Sequence, residues 1–268
     1  MADIRIGISG CGGRMGRMLI AEVTATPGCV LSGGVDAPNS PNIGKDIGEL
    51  AGIGANGLIA STDFAALLNA SDAIIDFSTP EASLAHAALA AKTGKALVIG
   101  TTGFDAAADA ALRAAGKSAP ILWAPNMSLG VNLLLSLVEQ TAQRLGDDYD
   151  IEILEMHHRH KVDAPSGTAL ALGKAAAAGR EVDLAAKSQR VRDGITGARK
   201  AGDIGFATLR GGDNVGEHHV LFSADGEQIE IAHKASSRRV FARGAVAAAQ
   251  FLAGKQAGFY GMKDVLGL

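Results

Sequence analysis

The chain is poor in cysteine and in aromatic residues. Only Cys11 and Cys29 occur among 268 residues, too few for a disulfide framework or for a cysteine-based metal site. Aromatic residues make up 4% of the chain, although hydrophobic residues make up 47%. This composition favours alanine-rich helices packed on a sheet over an aromatic binding surface, and the scarcity of cysteine fits a reducing cytosol.

Concentrated charge and long apolar runs are also missing. The net charge is −3 and the pI is near 6.2, and no segment has the basic density that nucleic-acid binding requires. No stretch of about 20 apolar residues is present to span a bilayer. Residues 1–5 lack the basic and apolar segments of a signal peptide. We therefore expect a cytoplasmic protein with no nucleic-acid partner and no membrane association.

Glycine is abundant, with 35 residues, which is well above the usual share of roughly 7% and predicts many tight turns. In the first half, short apolar runs alternate with helical patterns, at residues 4–8, 30–35, 73–77, 96–99 and 121–123. Fully apolar strands that alternate with helices indicate a parallel sheet covered on both faces. The sequence predicts an α/β fold whose N-terminal domain is a Rossmann-like, doubly wound parallel sheet, with a loop of little regular structure at residues 39–57.

The pattern changes after an apolar helix predicted at residues 129–145. A strand at 151–157 and a helix at 168–178 precede four strand candidates without intervening helices, at 188–191, 205–209, 218–222 and 228–233. Turn sequences at 211–214 and 225–226 predict antiparallel hairpins. We expect residues 128–238 to form a C-terminal α+β domain with an open mixed sheet. An alanine-rich helix at 241–252 would return to the first domain, so that residues 239–268 complete residues 1–127.

A glycine-rich turn follows the first strand and opens the first helix. It reads Gly10-Cys11-Gly12-Gly13-Arg14-Met15-Gly16. Glycines let the backbone approach a pyrophosphate closely, and the helix N-terminus offers N–H groups with a partial positive charge, to which Arg14 would add. The spacing is one residue longer than the usual dinucleotide fingerprint. The alternative is a purely structural turn between strand and helix.

Asp36 ends the second predicted strand, at the position where a carboxylate accepts hydrogen bonds from the adenosine ribose and repels a 2′-phosphate. Because the next residue is Ala37, no adjacent cation offsets that repulsion. We expect NADH to be preferred, while NADPH stays a second candidate because Arg14 or Lys45 can still reach a 2′-phosphate. The alternative is an ordinary turn aspartate before Pro38.

Two further segments lie at the carboxyl ends of predicted strands, where open α/β sheets bind ligands. They are Gly100-Thr101-Thr102 and Ala124-Pro125-Asn126-Met127. Either segment alone would be a loop. Together with the glycine turn they predict one rim of a cleft.

The most unusual segment is His157-His158-Arg159-His160-Lys161, in which basic or titratable side chains fill successive positions. Such a segment is typical of an anion receptor, and a histidine there can donate a proton near neutral pH. Farther on, Ser166-Gly167-Thr168 brings backbone N–H groups and two hydroxyls to a helix start, a natural seat for a carboxylate. Together these features lead us to expect a small anionic substrate, such as a dicarboxylate.

Two other interpretations of the histidines compete with this one. A metal site is not expected, because strand alternation sends His157 and His158 to opposite faces and no cluster of Cys, Asp or Glu keeps ligand spacing. The segment can also be a merely solvated basic turn. The pair His218-His219 lies within a predicted strand and is interpreted as structural.

Taken together, these residues resemble the dihydrodipicolinate reductase family over essentially the whole chain. The resemblance rests on residues 10–16, 76–78, 100–104, 205–207, 216–218 and 233–238, and above all on residues 155–169. It implies an NAD(P)H-dependent oxidoreductase that reduces 4-hydroxy-tetrahydrodipicolinate to tetrahydrodipicolinate in the diaminopimelate route to lysine. It also implies a homotetramer joined through the sheets of the second domain.

The resemblance assigns roles to individual residues. His157 would be the proton donor and Lys161 the second catalytic residue, while His158, Gly167 and Thr168 would hold substrate carboxylates. The dinucleotide would bind Gly10, Cys11, Gly12, Gly13, Arg14, Met15, Asp36, Gly100, Thr101, Thr102, Ala124, Pro125, Asn126 and Met127. Two alternatives stay open: another two-domain dehydrogenase, acting on a substrate such as aspartate or homoserine, and a non-catalytic redox sensor that binds the dinucleotide and a partner.

Overall fold

The computed structural model describes residues 3–268, which form two compact units. The first unit comprises the chain up to Leu129 together with Arg239–Leu268, and the second comprises Gly130–Arg238. Met1 and Ala2, which enter the argument about a signal peptide, lie outside the described residues. Within residues 3–268 no helix is both long and apolar enough to cross a membrane.

Strands and helices alternate through the first 129 residues. In chain order they are β1 (Ile4–Ser9), α1 (Arg14–Ala25), β2 (Cys29–Val35), α2 (Ile47–Ala51), α3 (Phe64–Ala70), β3 (Ala73–Asp76), α4 (Pro80–Thr93), β4 (Ala96–Ile99), α5 (Ala106–Gly116) and β5 (Pro120–Trp123). Helix α2 corrects the expectation that residues 39–57 form a loop of little regular structure. The Asp46 side chain starts this helix by accepting hydrogen bonds from the backbone N–H groups of Gly48 and Glu49.

The second unit and the C-terminal segment follow. The elements are α6 (Leu129–Leu145), β6 (Asp150–His157), α7 (Gly167–Gly179), α8 (Leu184–Lys187), β7 (Ser188–Gln189), β8 (Ile204–Arg210), β9 (Gly216–Ala224), β10 (Glu227–Ala235), α9 (Arg239–Leu252), β11 (Gly258–Tyr260) and α10 (Met262–Leu266). Helix α9 and strand β11 belong to the first unit, where β11 pairs with β5. The sequence patterns did not predict β11 or α10.

The sheet of the first unit has six strands in the order β11-β5-β4-β3-β1-β2, and every neighbouring pair is parallel. Both faces are covered, which explains the continuous apolar strands. The neighbours Ile74 and Ile75 are each fully buried, but they belong to hydrophobic cores on opposite faces. The prediction of a doubly wound parallel sheet is confirmed. The carboxyl ends of β1, β2, β4 and β5 consequently share one edge.

The sheet of the second unit is mixed, in the order β10-β9-β6-β8-β7. Strands β9 and β10 form the predicted antiparallel hairpin. The predicted hairpin of β8 with β9 is wrong, because β6 lies between them and pairs parallel with β8 and antiparallel with β9. The turn at residues 211–214 therefore connects strands that are not neighbours, which local turn chemistry cannot reveal.

Candidate active site

The glycine turn after β1 is shaped by close backbone contacts. The N–H groups of Gly10 and Cys11 both donate to the carbonyl oxygen of Val35, at 2.9 and 3.0 Å. A Cβ on Gly16 would stand 2.1 Å from the carbonyl oxygen of Gly10, so only glycine lets α1 begin this close to the turn. Among the described residues no side chain caps α1, whose N-cap is Gly13. The first-turn N–H groups therefore point toward the sheet edge without a side-chain acceptor.

Cys11 lies within this turn, but its side chain is fully buried in the core of the first unit. Burial, together with the nearby charge of Asp36, raises the pKa of the Cys11 thiol to about 11. The thiol is therefore protonated and unreactive at neutral pH. Any contact of Cys11 with a ligand at this edge would be made by its backbone.

Asp36 immediately follows β2 and faces the glycine turn. Its carboxylate accepts hydrogen bonds from the Ser40 hydroxyl at 2.8 Å and from the Ala37 N–H at 2.9 Å. A Cβ on Gly12 would stand 2.4 Å from Asp36 Oδ2, so a side chain at residue 12 would collide with this carboxylate. Asp36 and the glycine turn thus form one continuous surface.

Beside Asp36 lies a cavity of about 410 Å³. Of the predicted residues, it is lined by Gly10, Gly13 and Asp36. The further lining residues are Ser9, Val35, Ala37, Pro38, Thr62, Phe64, Phe77, Ser78, Thr79, Ala82 and His86. None of these further residues is among the predicted dinucleotide-binding residues, although Phe77 and Ser78 follow β3 and so lie at the same edge.

His86 is held firmly in the cavity wall. Its Nδ1 atom lies 2.8 Å from the fully buried carboxylate of Asp76, and its ring stacks on that of Phe64 with centroids 3.7 Å apart. The wall therefore presents flat rings of fixed orientation.

The segments after β4 and β5 lie next to each other, as predicted for neighbouring parallel strands. The Trp123 indole N–H donates to the carbonyl oxygen of Thr101 at 3.0 Å, and the Ala124 N–H donates to that of Ile99 at 3.2 Å. The side chain of Met127 is buried in the core. Among the described residues that line the cavity beside Asp36, none comes from these two segments.

In the second unit, β6 ends in a buried pair of titratable side chains. Glu155 and His157 lie on the same face of the strand, and His157 Nδ1 lies 2.5 Å from Glu155 Oε2. Glu155 is only 1% exposed and also accepts hydrogen bonds from the Ser166 N–H at 3.0 Å and from both terminal nitrogens of Arg210 at 2.8 Å. The proposed proton donor is therefore built into a charged network.

The network sets the protonation of both partners. Burial opposes ionisation of Glu155, but hydrogen bonds from Arg210, His157 and Ser166 outweigh it and hold the pKa of this carboxyl below its usual range. Burial lowers the pKa of His157, and the charges of Lys161 and Arg210 lower it further, while Glu155 opposes this shift. A lowered pKa in a histidine makes the protonated ring a better proton donor.

The start of α7 lies beside this pair. Ser166 caps the helix by accepting a hydrogen bond from the Ala169 N–H, and its hydroxyl lies 3.1 Å from His218 Nε2. Gly167 and Thr168 are the first two helical residues. The rings of His157 and His218 meet edge to face with centroids 5.1 Å apart. The two features that the sequence predicted separately, a titratable histidine and a carboxylate seat, are therefore adjacent.

The rest of the basic segment is more open. Lys161 forms an ion pair with Asp163 at 2.8 Å. His158 is half-buried, and its ring centroid lies 6.3 Å from that of the exposed His160. Among residues 3–268, no group of three or more His, Cys, Asp or Glu side chains is arranged to hold a metal ion.

Three residues of this network were missed by the sequence analysis. The sequence does contain a signal for Glu155, because residues two apart in a strand point to the same face, which places this carboxylate beside His157. His218 was interpreted as structural, but it contacts both Ser166 and His157. Arg210 had no local signal, because only the register of β6 with β8, which pairs it with His157, brings it to Glu155.

Two family models match this chain, one in each half. The model described as dihydrodipicolinate reductase, N-terminus, matches residues 4–127, and the one described as dihydrodipicolinate reductase, C-terminus, matches residues 130–266. The chain belongs to the dihydrodipicolinate reductase family. This confirms the resemblance and identifies an enzyme of the oxidoreductase class.

Similar proteins span the whole chain. A 4-hydroxy-tetrahydrodipicolinate reductase from Rhodopseudomonas palustris (strain TIE-1) is 52% identical over 100% of this chain and 99% of the relative. One from Parvibaculum lavamentivorans is 54% identical with the same coverage. The solved structure of dipicolinate-bound dihydrodipicolinate reductase from Paenisporosarcina sp. TG-14 matches with a TM-score of 0.79 over 97% of both chains, at 23% identity. That structure supports the fold of this family member.

Proposed function

We propose that this chain reduces 4-hydroxy-tetrahydrodipicolinate to tetrahydrodipicolinate with a reduced nicotinamide dinucleotide, in the diaminopimelate route to lysine. The activity is carried over from relatives of that name that are 52–54% identical over the full chain. The observation that carries it in this molecule is the buried Glu155–His157 pair beside the start of α7, an arrangement that joins a proton donor to a carboxylate seat.

The dinucleotide is proposed to bind at the sheet edge of the first unit. The glycine turn, the uncapped start of α1 and the cavity beside Asp36 fit a pyrophosphate and an adenosine, because N–H groups, flat walls and a carboxylate meet there. The contacts are assigned to Gly10, Cys11 (through its backbone), Gly12, Gly13, Arg14, Met15, Asp36, Gly100, Thr101, Thr102, Ala124, Pro125, Asn126 and Met127. When bound, the reduced nicotinamide supplies a hydride.

NADH is proposed as the preferred cofactor. A 2′-phosphate near Asp36 would meet a carboxylate that already accepts hydrogen bonds from Ser40 and Ala37. Because Ala37 carries no charge, nothing at that position compensates the repulsion. NADPH stays a weaker second cofactor, to which Arg14 or Lys45 can contribute a cation.

The substrate is proposed to bind in the second unit, where His158, Ser166, Gly167 and Thr168 would hold its carboxylates. The reaction consumes one hydride and one proton and releases water. His157 would donate the proton from Nε2, since its Nδ1 atom is engaged by Glu155. Lys161 would stabilise the negative charge that develops on the substrate ring, after exchanging its ion pair with Asp163 for the substrate.

A homotetramer and a cytoplasmic location belong to the same proposal. Strand β10 is an edge strand with most of its residues exposed, including Ile229. An exposed edge of this kind is suited to pairing with another copy of the chain. Light scattering of the purified protein measures the number of subunits directly.

The deciding experiment follows the absorbance of the reduced nicotinamide, with substrate made in situ by condensing pyruvate with aspartate semialdehyde. NADH and NADPH are compared side by side. We expect rapid oxidation that requires both precursors and is faster with NADH at low cofactor concentration. Folded protein that binds a dinucleotide but oxidises neither one would refute the substrate assignment, and aspartate and homoserine then become the next substrates to test.

A further inference from the structure

Glu155 is the most heavily coordinated buried carboxylate near the proposed proton donor. It accepts hydrogen bonds from His157 Nδ1 at 2.5 Å, from the Ser166 N–H at 3.0 Å, and from Nη1 and Nη2 of Arg210 at 2.8 Å each. The guanidinium of Arg210 donates one hydrogen bond to each carboxylate oxygen. One side chain thus connects the end of β6, the end of β8 and the start of α7.

The contact with His157 determines which ring nitrogen carries the proton. An ionised carboxylate accepts hydrogen bonds but cannot donate one, so His157 Nδ1 must be protonated in the neutral ring. The remaining nitrogen, Nε2, then gains and loses the exchangeable proton. An imidazole in the other tautomer would present a bare Nδ1 to the carboxylate, and two acceptors would face each other.

Arg210 ensures that Glu155 stays a carboxylate. Its two hydrogen bonds favour the ionised form, and its Nη2 atom also donates to the carbonyl oxygen of Asp163 at 2.6 Å. Glu155 therefore has little tendency to take the proton from His157. The charged and titratable groups that face His157 are Glu155 on its own strand, Arg210 on β8, Lys161 on the following loop and His218 on β9.

We propose that Glu155 is a positioning residue for proton transfer, an inference that rests on the proposed function: it holds His157 with Nδ1 protonated and Nε2 directed to the substrate, and Arg210 keeps it ionised. The same carboxylate accepts a hydrogen bond from the Ser166 N–H. One group therefore fixes the position of the proton donor relative to the carboxylate seat. Glu155 itself does not touch the reacting atoms.

The substitution Glu155→Gln tests this role. The amide oxygen can still accept from Ser166 and Arg210, but the amide N–H₂ then points at His157 Nδ1 and requires the proton to move to Nε2. We expect kcat to fall by about 10²- to 10⁴-fold, the range for losing an oriented general acid. The KM for the substrate should change little. The descending limb of the pH–rate profile should move to lower pH, because the carboxylate no longer supports the protonated ring.

Glu152 provides a matched control. It lies on the opposite face of β6, and it is also held by an arginine fork, from Arg192 at 2.7 and 2.8 Å. Glu152→Gln makes the same chemical change on the same strand and should leave kcat and the pH profile unchanged.

Glu155→Asp keeps the charge on a shorter side chain and should recover part of the rate. In the Glu155→Gln/His157→Gln double variant, the rate should be no lower than in His157→Gln alone.

A spectroscopic measurement separates this inference from the proposed function. Nitrogen NMR of the imidazole rings reports the tautomer without any substrate, and the His157 resonances are assigned as those missing from His157→Gln. We expect Nδ1 protonation in the neutral wild-type ring and a shift toward Nε2 protonation in Glu155→Gln.

Wild-type protein with the proton on Nε2 overturns the proposal, even if the variant does not fold. Wild-type kcat and an unshifted pH profile in folded Glu155→Gln would also overturn it. Absence of turnover in the wild-type protein would count against the function alone.

Discussion

His157 Nε2 faces Gly216 across the ends of β6 and β9, and a Cβ on Gly216 would stand 2.9 Å from that atom. The antiparallel ladder between the two strands ends with the pair Met156 and Glu217. The next position in this register places Gly216 opposite His157. On its other side the ring is held by Glu155 at Nδ1. The ring is thus fixed through one nitrogen, and a residue without a side chain leaves space before the other.

Gly216→Ala should therefore impair turnover without removing any catalytic group. The added methyl would push the ring or occupy the space before Nε2, and a misplacement of this size can cost on the order of 10²-fold in rate. Steady-state kinetics measures the effect. Gly211→Ala is the control, because a Cβ there would meet only the terminal methyl of Met156, at 3.3 Å. Equal rates for both variants would contradict the orientation of His157 described above.

His157→Gln and Lys161→Ala should each reduce kcat strongly, by about 10²- to 10⁴-fold for the loss of the general acid. Dinucleotide affinity should stay near normal in both, because the proposed cofactor residues lie in the other unit. Fluorescence titration with NADH checks this. Lys174→Ala removes an exposed lysine from α7 and serves as the control for lost charge. Unchanged turnover in both His157→Gln and Lys161→Ala would remove their assigned roles.

Ala37→Arg should shift the cofactor preference toward NADPH. A guanidinium beside Asp36 would offset the carboxylate and can pair with a 2′-phosphate, so we expect the ratio of kcat/KM for NADPH to that for NADH to rise by about tenfold or more. Ala37→Gln adds a long side chain without the charge and should leave the ratio almost unchanged. A shift of equal size in both variants would mean that side-chain size, and not charge, sets the preference.

His218 should make the folded state sensitive to acid. Burial lowers the pKa of His218 from 6.5 to about 4. Between these values the unfolded chain binds a proton that the folded chain does not. The contribution of His218 to the free energy of unfolding is therefore fully present above pH 6.5 and is lost as the pH drops toward 4. The loss should approach about 3 kcal/mol. Denaturant unfolding across this pH range measures it.

His218→Gln should flatten this pH dependence, because glutamine does not titrate there and can still hydrogen-bond to Ser166. His219→Gln makes the same substitution at the next residue, which lies on the opposite face of β9 and pairs with Glu230, and it serves as the matched control. A wild-type slope in His218→Gln would show that other groups cause the acid sensitivity.

Local patterns in the sequence were sufficient for much of the first unit. Apolar runs such as that of β3 reveal their strands because both faces of the sheet are covered, and a glycine turn between strand and helix is a feature of adjacent residues. Asp46 shows the limit of this approach. Its capping of α2 needs only nearby residues, but the surrounding Pro, Asn and Gly residues concealed the helix.

The sequence by itself determined the alternating strands and helices, the glycine turn, and the concentration of histidines at the end of β6, because all of these depend on spacing along the chain. Only the tertiary structure decided that Arg210 and His218 join Glu155 and His157, since that depends on β6 inserting between β8 and β9. Strand order is set by the burial of whole strands against one another. The residues that it brings together, Arg210 with Glu155 and His218 with Ser166, are about 50 residues apart in the sequence. No short-range pattern encodes that choice, and it is the choice that assembles the charged network around the proposed proton donor.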